Sequence, residues 1–176
     1  MEINLPDGSS KKLEPGSNGL DLAKSIGSRL AKSAVAVLVD GEQRDLLDEL
    51  SDKASVSIIT IESEEGLQIM RHTLTGQVLA KAVKNLYADS KLAIGPTIEN
   101  GFYYDVSTKT PISIEDLPRI ENEMKRILEK KSNIIKTLHS EKDAKKLFKE
   151  RGESLKIEII DDADQTDNFQ IYTNDD

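Results

Sequence analysis

The fold of the first third of the chain is decided by residues 35–41, which read VAVLVDG. Five consecutive apolar residues predict a buried strand. The Asp40-Gly41 pair that follows is typical of a two-residue hairpin turn, because both positions of that turn need a positive φ. Residues 42–46 are then the returning strand of a β-hairpin.

The residues on either side complete a small mixed sheet with one helix. An apolar–polar alternation around Ile3 and a Pro-Asp-Gly turn predict an earlier hairpin that ends near Glu14. Apolar residues with helical spacing lie between Leu20 and Ile26, and residues 55–61 predict a fifth strand. The order ββαβββ within residues 1–61 is typical of a β-grasp, or ubiquitin-like, domain.

The following residues predict a second domain at residues 67–176, after an acidic linker at residues 62–66. Apolar residues three and four apart, from Leu67 to Leu86, indicate an amphipathic helix of about 20 residues. Further predicted elements are a hairpin at 92–105, a helix that starts at Ser113 or Asp116, a strand at 133–138, a helix at 141–151, a strand at 155–160 and a strand-like piece at 169–173. The predicted fold class is α+β, with a long helix packed on a mostly antiparallel sheet.

The predicted hairpin at residues 92–105 reads LAIGPTIENGFYYD and holds three of the seven aromatic residues of the chain. The Gly95-Pro96 pair predicts its tight turn. Successive side chains of a strand point to opposite faces, so one of Tyr103 and Tyr104 is expected in the core and the other at a cleft. Such a concentration of aromatic rings indicates that the hairpin either lines a cleft or fills a large part of the core.

Charge and composition narrow the classes of function. The net charge of −8 opposes non-specific binding to nucleic acid, so an RNA contact needs a local basic patch or another part of a larger protein. The sequence has no cysteine, which excludes disulfides and thiolate metal sites. No apolar run reaches the ~18 residues of a membrane span, and the N-terminus lacks a signal-peptide pattern. A cytoplasmic location is expected.

His72 and Lys156 are the polar candidates for a site in the second domain. His72 lies off the apolar stripe of the predicted helix, and Gly76, one turn further on, leaves a notch beside it. A half-exposed helix histidine is the simpler interpretation. Lys156 alternates with Leu155 and Ile157, which favours a solvent-facing lysine on a strand. Spacing alone therefore identifies no reaction and no metal site.

The chain resembles the N-terminal region of threonyl-tRNA synthetases over its whole length. Residues 1–61 look like the TGS domain of that family, with INLPDG at 3–8, LAKSA at 30–34 and VSIIT at 56–60. Three further stretches look like its second, editing domain: EGLQIMRHT at 65–73, the run at 92–105 and RGESLK at 151–156. The resemblance implies a β-grasp domain followed by an α/β editing-type domain.

In that family the editing domain hydrolyses serine wrongly attached to threonine-specific tRNA. A site built for threonine rejects a missing methyl group by only about 1–3 kcal/mol, so a second pocket that excludes threonine supplies the remaining discrimination. Hydrolysis of the ester needs a positioned water and a stabilised oxyanion. The resemblance implies that ATP and zinc serve a catalytic domain outside this region, and no cofactor is expected here.

The resemblance also implies roles for four residues. His72 matches the first histidine of a His-x-x-x-His pair that orients water or the terminal ribose, and Lys156 matches a lysine beside the developing oxyanion. Tyr104 matches an aromatic wall of the substrate site. Gly76 stands where the second histidine is expected, and the family's Cys-x-x-x-His segment would follow Asp176. Weak or absent hydrolysis by this chain alone is therefore expected.

Three interpretations stay open. The chain is the TGS and editing region of a longer threonyl-tRNA synthetase, a non-catalytic module that binds tRNA or positions domains, or a free-standing hydrolase that acts in trans. An end that falls within a predicted strand favours the first over the third. The implied partner is the acceptor end of threonine-specific tRNA, with no DNA and no membrane. A monomer is expected for this chain and a dimer for the parent protein.

Overall fold

The computed structural model describes residues 1–174, and the last two residues of the predicted second domain lie outside this described part. The chain divides into two compact units, residues 1–70 and the residues from Arg71 onward. Each unit contains its own buried hydrophobic residues.

The first unit is a β-grasp domain. It contains β1 (Glu2–Asn4), β2 (Ser10–Lys12), α1 (Gly19–Ile26), α2 (Ser28–Ser33), β3 (Ala34–Val39), β4 (Glu42–Asp45) and β5 (Val56–Thr60). β3 is the middle strand of an antiparallel sheet with the order β4-β3-β5, and β1 pairs with β2. A parallel bridge from Asn4 to Ser55 places β1 beside the start of β5. The five strands predicted for this unit are confirmed.

Strand β3 lies at the centre of this unit. Val37 is fully buried in a core that also contains Ile3, Leu22 and Val56. In the turn that follows β3, Asp40 has a φ of 51° and Gly41 a φ of 89°. These are the two left-handed residues that the predicted hairpin turn requires.

Helix α1 is held at its N-terminus by a reciprocal cap. Asn18 Oδ1 accepts a hydrogen bond from the Asp21 amide at 3.1 Å, and the Asp21 carboxylate accepts one from the Asn18 amide at 3.2 Å. Gly19 allows α1 to pack closely on β3, because a Cβ there would lie 2.3 Å from Val37 Cγ1. Helix α2 was not predicted, since none of its residues is buried and no apolar stripe indicates it.

The chain continues with helices and short strands. The elements are α3 (Glu64–Thr73), a π-helical segment (Leu74–Leu79), α4 (Ala80–Leu86), β6 (Lys91–Leu92), β7 (Thr97–Ile98), β8 (Gly101–Phe102), β9 (Val106–Ser107), a 3-10 turn (Ile114–Asp116), α5 (Leu117–Glu129), β10 (Ile134–His139), α6 (Glu141–Glu150), α7 (Ser154–Asp161) and β11 (Phe169–Asn174). The strands pair antiparallel as β6-β9, β7-β8 and β10-β11. The predicted α+β class is confirmed, with small antiparallel sheets.

The first long helix consists of α3, the π-helical segment and α4 without a break. It begins at Glu64, so the last three residues of the predicted linker are helical. Ser63 Oγ accepts a hydrogen bond from the Gly66 amide at 3.0 Å and caps the helix. Its apolar stripe packs on α5 through a cluster that contains Val78, Ala82, Ile120 and Ile127.

The π-helical segment changes the spacing along this helix. Its hydrogen bonds join residues five apart, as in the bond from the Ala80 amide to the Thr75 carbonyl. The α-helical spacing assumed for the whole run therefore fails over Leu74–Leu79, which includes Gly76. Wider turns of this kind occur often at functional sites.

The second long helix uses both of the start residues that the sequence predicts, Ser113 and Asp116. The Ser113 amide and hydroxyl both donate to the Asp116 carboxylate, at 2.8 and 3.0 Å, and this pairing begins the 3-10 turn. Helix α5 follows from Leu117, with Pro118 in its first turn, where a missing N–H is tolerated.

The strand predicted at residues 155–160 is wrong, because these residues form α7. Apolar side chains alternate from Leu155 to Ile159 and indicated a period of two. In the structure Ile160 is buried, and the residues three and four positions before it, Ile157 and Lys156, are half-buried. This is the helical period, and a helix satisfies its backbone groups without a partner strand.

The hairpin at residues 92–105 is present, but its turn was placed wrongly. β7 pairs with β8, so the two-residue turn between them is Glu99-Asn100. Gly95-Pro96 lies within the first arm, where the Pro96 carbonyl accepts a hydrogen bond from the Tyr103 amide at 3.3 Å. Proline is accepted at this position because its carbonyl, rather than its missing N–H, faces the other arm.

Candidate functional site

Tyr104 is the tyrosine of the hairpin that faces inward. Tyr103 is 54% exposed, whereas Tyr104 is half-buried. The ring of Tyr104 packs against a cluster that consists of Ala80, Val83 and Leu92. The difference follows from the opposite orientation of successive side chains along a strand.

The ring of Tyr104 lies directly on the backbone of Gly95. A Cβ on Gly95 would lie 1.8 Å from Tyr104 Cδ2 and 2.7 Å from Thr75 Cγ2. Thr75 is fully buried in the π-helical segment, and its Oγ1 donates a hydrogen bond of 2.7 Å to the Arg71 carbonyl. Only glycine therefore fits between the ring of the hairpin and the side chain of the helix.

A buried carboxylate lies near this ring. Glu153, the residue before α7, is 6% exposed. Its Oε1 lies 2.5 Å from Lys84 Nζ, which also donates a hydrogen bond of 2.6 Å to the Ser90 carbonyl. Glu153 Oε2 is buried and has no hydrogen-bond partner. The ion pair joins α4 to the start of α7, and pairing is what makes a buried charge tolerable.

Tyr104 and Lys156 are both within electrostatic reach of Glu153. Burial raises the pKa of Tyr104, and the negative charge of Glu153 raises it further. Burial lowers the pKa of Lys156; Glu153 opposes this shift and Lys84 adds to it. Lys156 Nζ also lies 5.9 Å from the centre of the Phe148 ring, close enough for a cation–π contact.

His72 and Gly76 lie on the exposed side of the long helix. The His72 side chain is exposed, and so is Gly76. A Cβ on Gly76 would have no heavy atom within 4 Å, so a side chain can be added there without a clash. His72 lies three residues before the buried Thr75, whose methyl group and the Tyr104 ring both lie against Gly95.

Of the four residues predicted from the sequence, Tyr104 and Lys156 interact with one charged group, Glu153. His72 and Gly76 lie apart from them on an exposed helix face. Sequence reasoning missed Glu153 and Lys84, which are far apart in the chain. The only local signal for Glu153 was an acid between the helix-ending Gly152 and the next apolar residue. Gly152 has a φ of 71° and ends α6, which turns Glu153 inward.

Within residues 1–174, no three or more His, Cys, Asp and Glu side chains are grouped so that they could hold a metal ion. No helix of this part of the chain is long and apolar enough to cross a bilayer.

The TGS domain family matches residues 1–60. The threonine–tRNA ligase of Oceanobacillus iheyensis is 42% identical over 172 residues, which are 98% of this chain and 26% of that protein. The enzyme of the same name from Brucella canis is 41% identical over the same shares, and that from Francisella tularensis subsp. novicida is 42% identical over 176 residues. The chain spans about a quarter of the length of these relatives. It carries a TGS domain, and over nearly all of its length it is similar to the N-terminal region of threonine–tRNA ligases.

Proposed function

We propose that this chain provides the TGS domain and the editing module of a threonine–tRNA ligase, and that its second unit binds the acceptor end of mischarged seryl-tRNA. The observation that carries this proposal is that Tyr104, which packs on Ala80 and Val83 of α4, and Lys156, in the first turn of α7, both interact electrostatically with the buried Glu153. An aromatic wall and a partly desolvated ammonium are what a site for a charged ester transition state needs. The similarity to threonine–tRNA ligases over 98% of the chain supports the same assignment.

Lys156 is the residue assigned to the developing oxyanion. Ester hydrolysis places negative charge on the carbonyl oxygen, and a fixed positive charge in a water-poor site stabilises that oxygen more than the same charge does in water. The burial that lowers the pKa of Lys156 is a sign of such a site. Tyr104 is assigned to the wall that limits the size of the amino acid side chain.

His72 is assigned to the water or to the terminal ribose of the tRNA. Its exposed imidazole is available to a ligand, and a neutral imidazole can both donate and accept a hydrogen bond. Gly76 supplies no second imidazole, so general-base assistance, typically worth about 10²–10⁴-fold in rate, is incomplete. The chain is therefore proposed to bind the ester and to hydrolyse it slowly.

The test measures release of serine from seryl-tRNA(Thr). The matched region of the Oceanobacillus iheyensis ligase is replaced by this chain, and the chimera is compared with the unaltered ligase. We expect slow deacylation by the chimera and faster deacylation by its Gly76→His variant, with Gly76→Ala as the matched control for helix propensity. Equal rates for Gly76→His and Gly76→Ala would contradict the role given to position 76.

A second function is favoured by one observation. With His72 exposed and no imidazole at position 76, the second unit is also suited to bind the acceptor end without catalysis. Competition of uncharged tRNA(Thr) against seryl-tRNA(Thr) separates the two functions. Equal affinity, together with a hydrolysis rate that Lys156→Gln does not change, would support the non-catalytic module.

ATP and zinc would serve parts of a ligase that follow the matched region, and the described residues offer no group of side chains that fits zinc. We propose a cytoplasmic protein whose RNA partner is threonine-specific tRNA. Sedimentation is expected to give a monomer for this chain, because dimerisation is assigned to the parent protein's catalytic part.

A further inference from the structure

We propose that Glu153 is a positioning residue, which holds Lys156 and the Tyr104 wall in place through its ion pair with Lys84. This inference rests on the proposed function, since it concerns the same site. It goes beyond that function because it assigns the geometry of the site to the ion pair of the buried Glu153 with the half-buried Lys84, neither of which was given a role in the reaction.

The Glu153 side chain is used unusually for a residue that precedes a helix. The residue before a helix commonly uses its side-chain oxygen to accept hydrogen bonds from the first helical amides. Glu153 makes no such bond, and its Oε1 instead lies 2.5 Å from Lys84 Nζ. The first turn of α7, which contains Lys156, is therefore fastened to α4 rather than capped by its own side chain.

The ion pair of Glu153 with Lys84 connects several helices and strands. Lys84 Nζ also donates to the Ser90 carbonyl, at the entry to β6. The Glu153 amide donates to the Phe148 carbonyl at 2.9 Å, which ties the same residue to the end of α6. The Phe148 ring is the one that Lys156 Nζ approaches. Glu153 thus joins α4, through its carboxylate, and the end of α6, through its amide, to the first turn of α7, which contains Lys156.

The ion pair of Glu153 with Lys84 contributes little to the stability of the fold. A buried ion pair is often no more stable than apolar residues of the same volume. Here one oxygen of the carboxylate also lacks a hydrogen-bond partner, which adds a penalty. A pair that is poorly suited to stability, beside two candidate site residues, indicates a role in the electrostatics of the site.

Three variants test the proposal through the pKa of Lys156, which is measured by NMR titration of isotope-labelled lysine side chains. The groups that act on Lys156 are Glu153, which raises its pKa, and Lys84, which lowers it. Glu153→Gln is expected to lower the pKa of Lys156, and Lys84→Met is expected to raise it. The double variant replaces both charges, and its value is expected between those of the single variants.

Opposite shifts of the Lys156 pKa in the two single variants distinguish a positioning role of Glu153 from a general loosening of the fold. A variant that merely opens the structure exposes Lys156 and raises its pKa toward 10.5, the ordinary value for lysine, in all three cases. The double variant removes both charges of the Lys84–Glu153 pair together, so it is expected to stay folded if either single variant unfolds. A rise in the Glu153→Gln variant while its helical circular dichroism is unchanged would overturn the proposal.

Hydrolysis of seryl-tRNA by the chimera distinguishes failure of the positioning role of Glu153 from failure of the proposed function. In the ligase chimera that carries Gly76→His, Glu153→Gln is expected to lower kcat at least tenfold and to shift the pH profile in the same direction as the pKa of Lys156. A shifted pKa with unchanged kcat would mean that Glu153 positions Lys156 but that the site does not hydrolyse the ester. An unshifted pKa would refute the positioning role, whatever the rate.

Discussion

Arg71 Nη1 donates a hydrogen bond of 2.7 Å to the Glu99 carbonyl, so the long helix holds the tip of the aromatic hairpin. Arg71 directly precedes His72, and its own carbonyl accepts the hydrogen bond from the buried Thr75. The helix turn that carries His72 is therefore attached to the hairpin that carries Tyr104. Movement of the hairpin tip and movement of this turn are expected to be coupled.

Removal of the Arg71 side chain tests this coupling. Arg71→Gln is expected to increase amide hydrogen exchange at Tyr103, whose hydrogen bond to Pro96 closes the hairpin near the tip. The bond is exposed, so the expected loss of stability is small, about 0.5–1 kcal/mol. Lys91→Gln, at the exposed position directly before this hairpin, is the control and should leave exchange at Tyr103 unchanged.

The close approach at Gly95 predicts a large effect from one added methyl group. Gly95→Ala is expected to lower the free energy of unfolding of the second unit by about 1–3 kcal/mol, because the ring of Tyr104 has to move. Urea unfolding followed by tyrosine fluorescence measures this unit alone, since all four tyrosines follow residue 70.

The control for that experiment lies at Gly76. Gly76→Ala adds the same methyl group where no heavy atom lies within 4 Å, and it restricts the unfolded chain. It is expected to raise the free energy of unfolding by about 0.4–1 kcal/mol. A similar loss in both variants would show that the contact at Gly95 is not the cause.

The first unit offers an equivalent test at Gly19. Gly19→Ala is expected to cost about 1–3 kcal/mol, because the new Cβ would lie 2.3 Å from Val37 Cγ1 and 3.0 Å from the Leu46 carbonyl. Hydrogen exchange at the Val37 amide measures the effect. Gly27→Ala, where no heavy atom lies within 4 Å of the new Cβ and φ is 174°, should be tolerated.

Acid should weaken the contact between α4 and α5. Arg126, assisted by Asn85, lowers the pKa of Glu123 to about 2 from an ordinary value of 4.5. Because the folded-state pKa is the lower one, the contribution of Glu123 to stability is present above pH 4.5 and is lost as the pH falls toward 2. Glu123→Gln should reduce the loss of stability over this range.

An NMR titration checks the cause of that shift. In the Arg126→Gln variant the carboxylate of Glu123 loses the guanidinium that donates two hydrogen bonds to it. Its pKa should then rise toward 4.5. A pKa that stays near 2 in this variant would assign the shift to Asn85 instead.

Much of the first unit could be predicted because its signals are local. The run of apolar residues at β3, the Asp40-Gly41 turn and the helical spacing from Leu20 to Ile26 each act within a few residues of the chain. The same holds for α5, where Ser113 and Asp116 begin the turn and Pro118 follows. Helix α2 shows the limit of such reasoning, since a short helix without buried residues leaves no periodic pattern.

The candidate site depends on pairings that no local pattern contains. Local patterns were enough to predict the strands of the β-grasp unit, the apolar stripe of the long helix and the motifs that contain Tyr104 and Lys156. Contacts between distant residues, in contrast, fix the helix at residues 155–160, the hairpin turn at Glu99-Asn100 and the pairing of Glu153 with Lys84. The physical reason is that turn and cap energies depend on neighbours in the chain, whereas burial and ion pairing depend on neighbours in space.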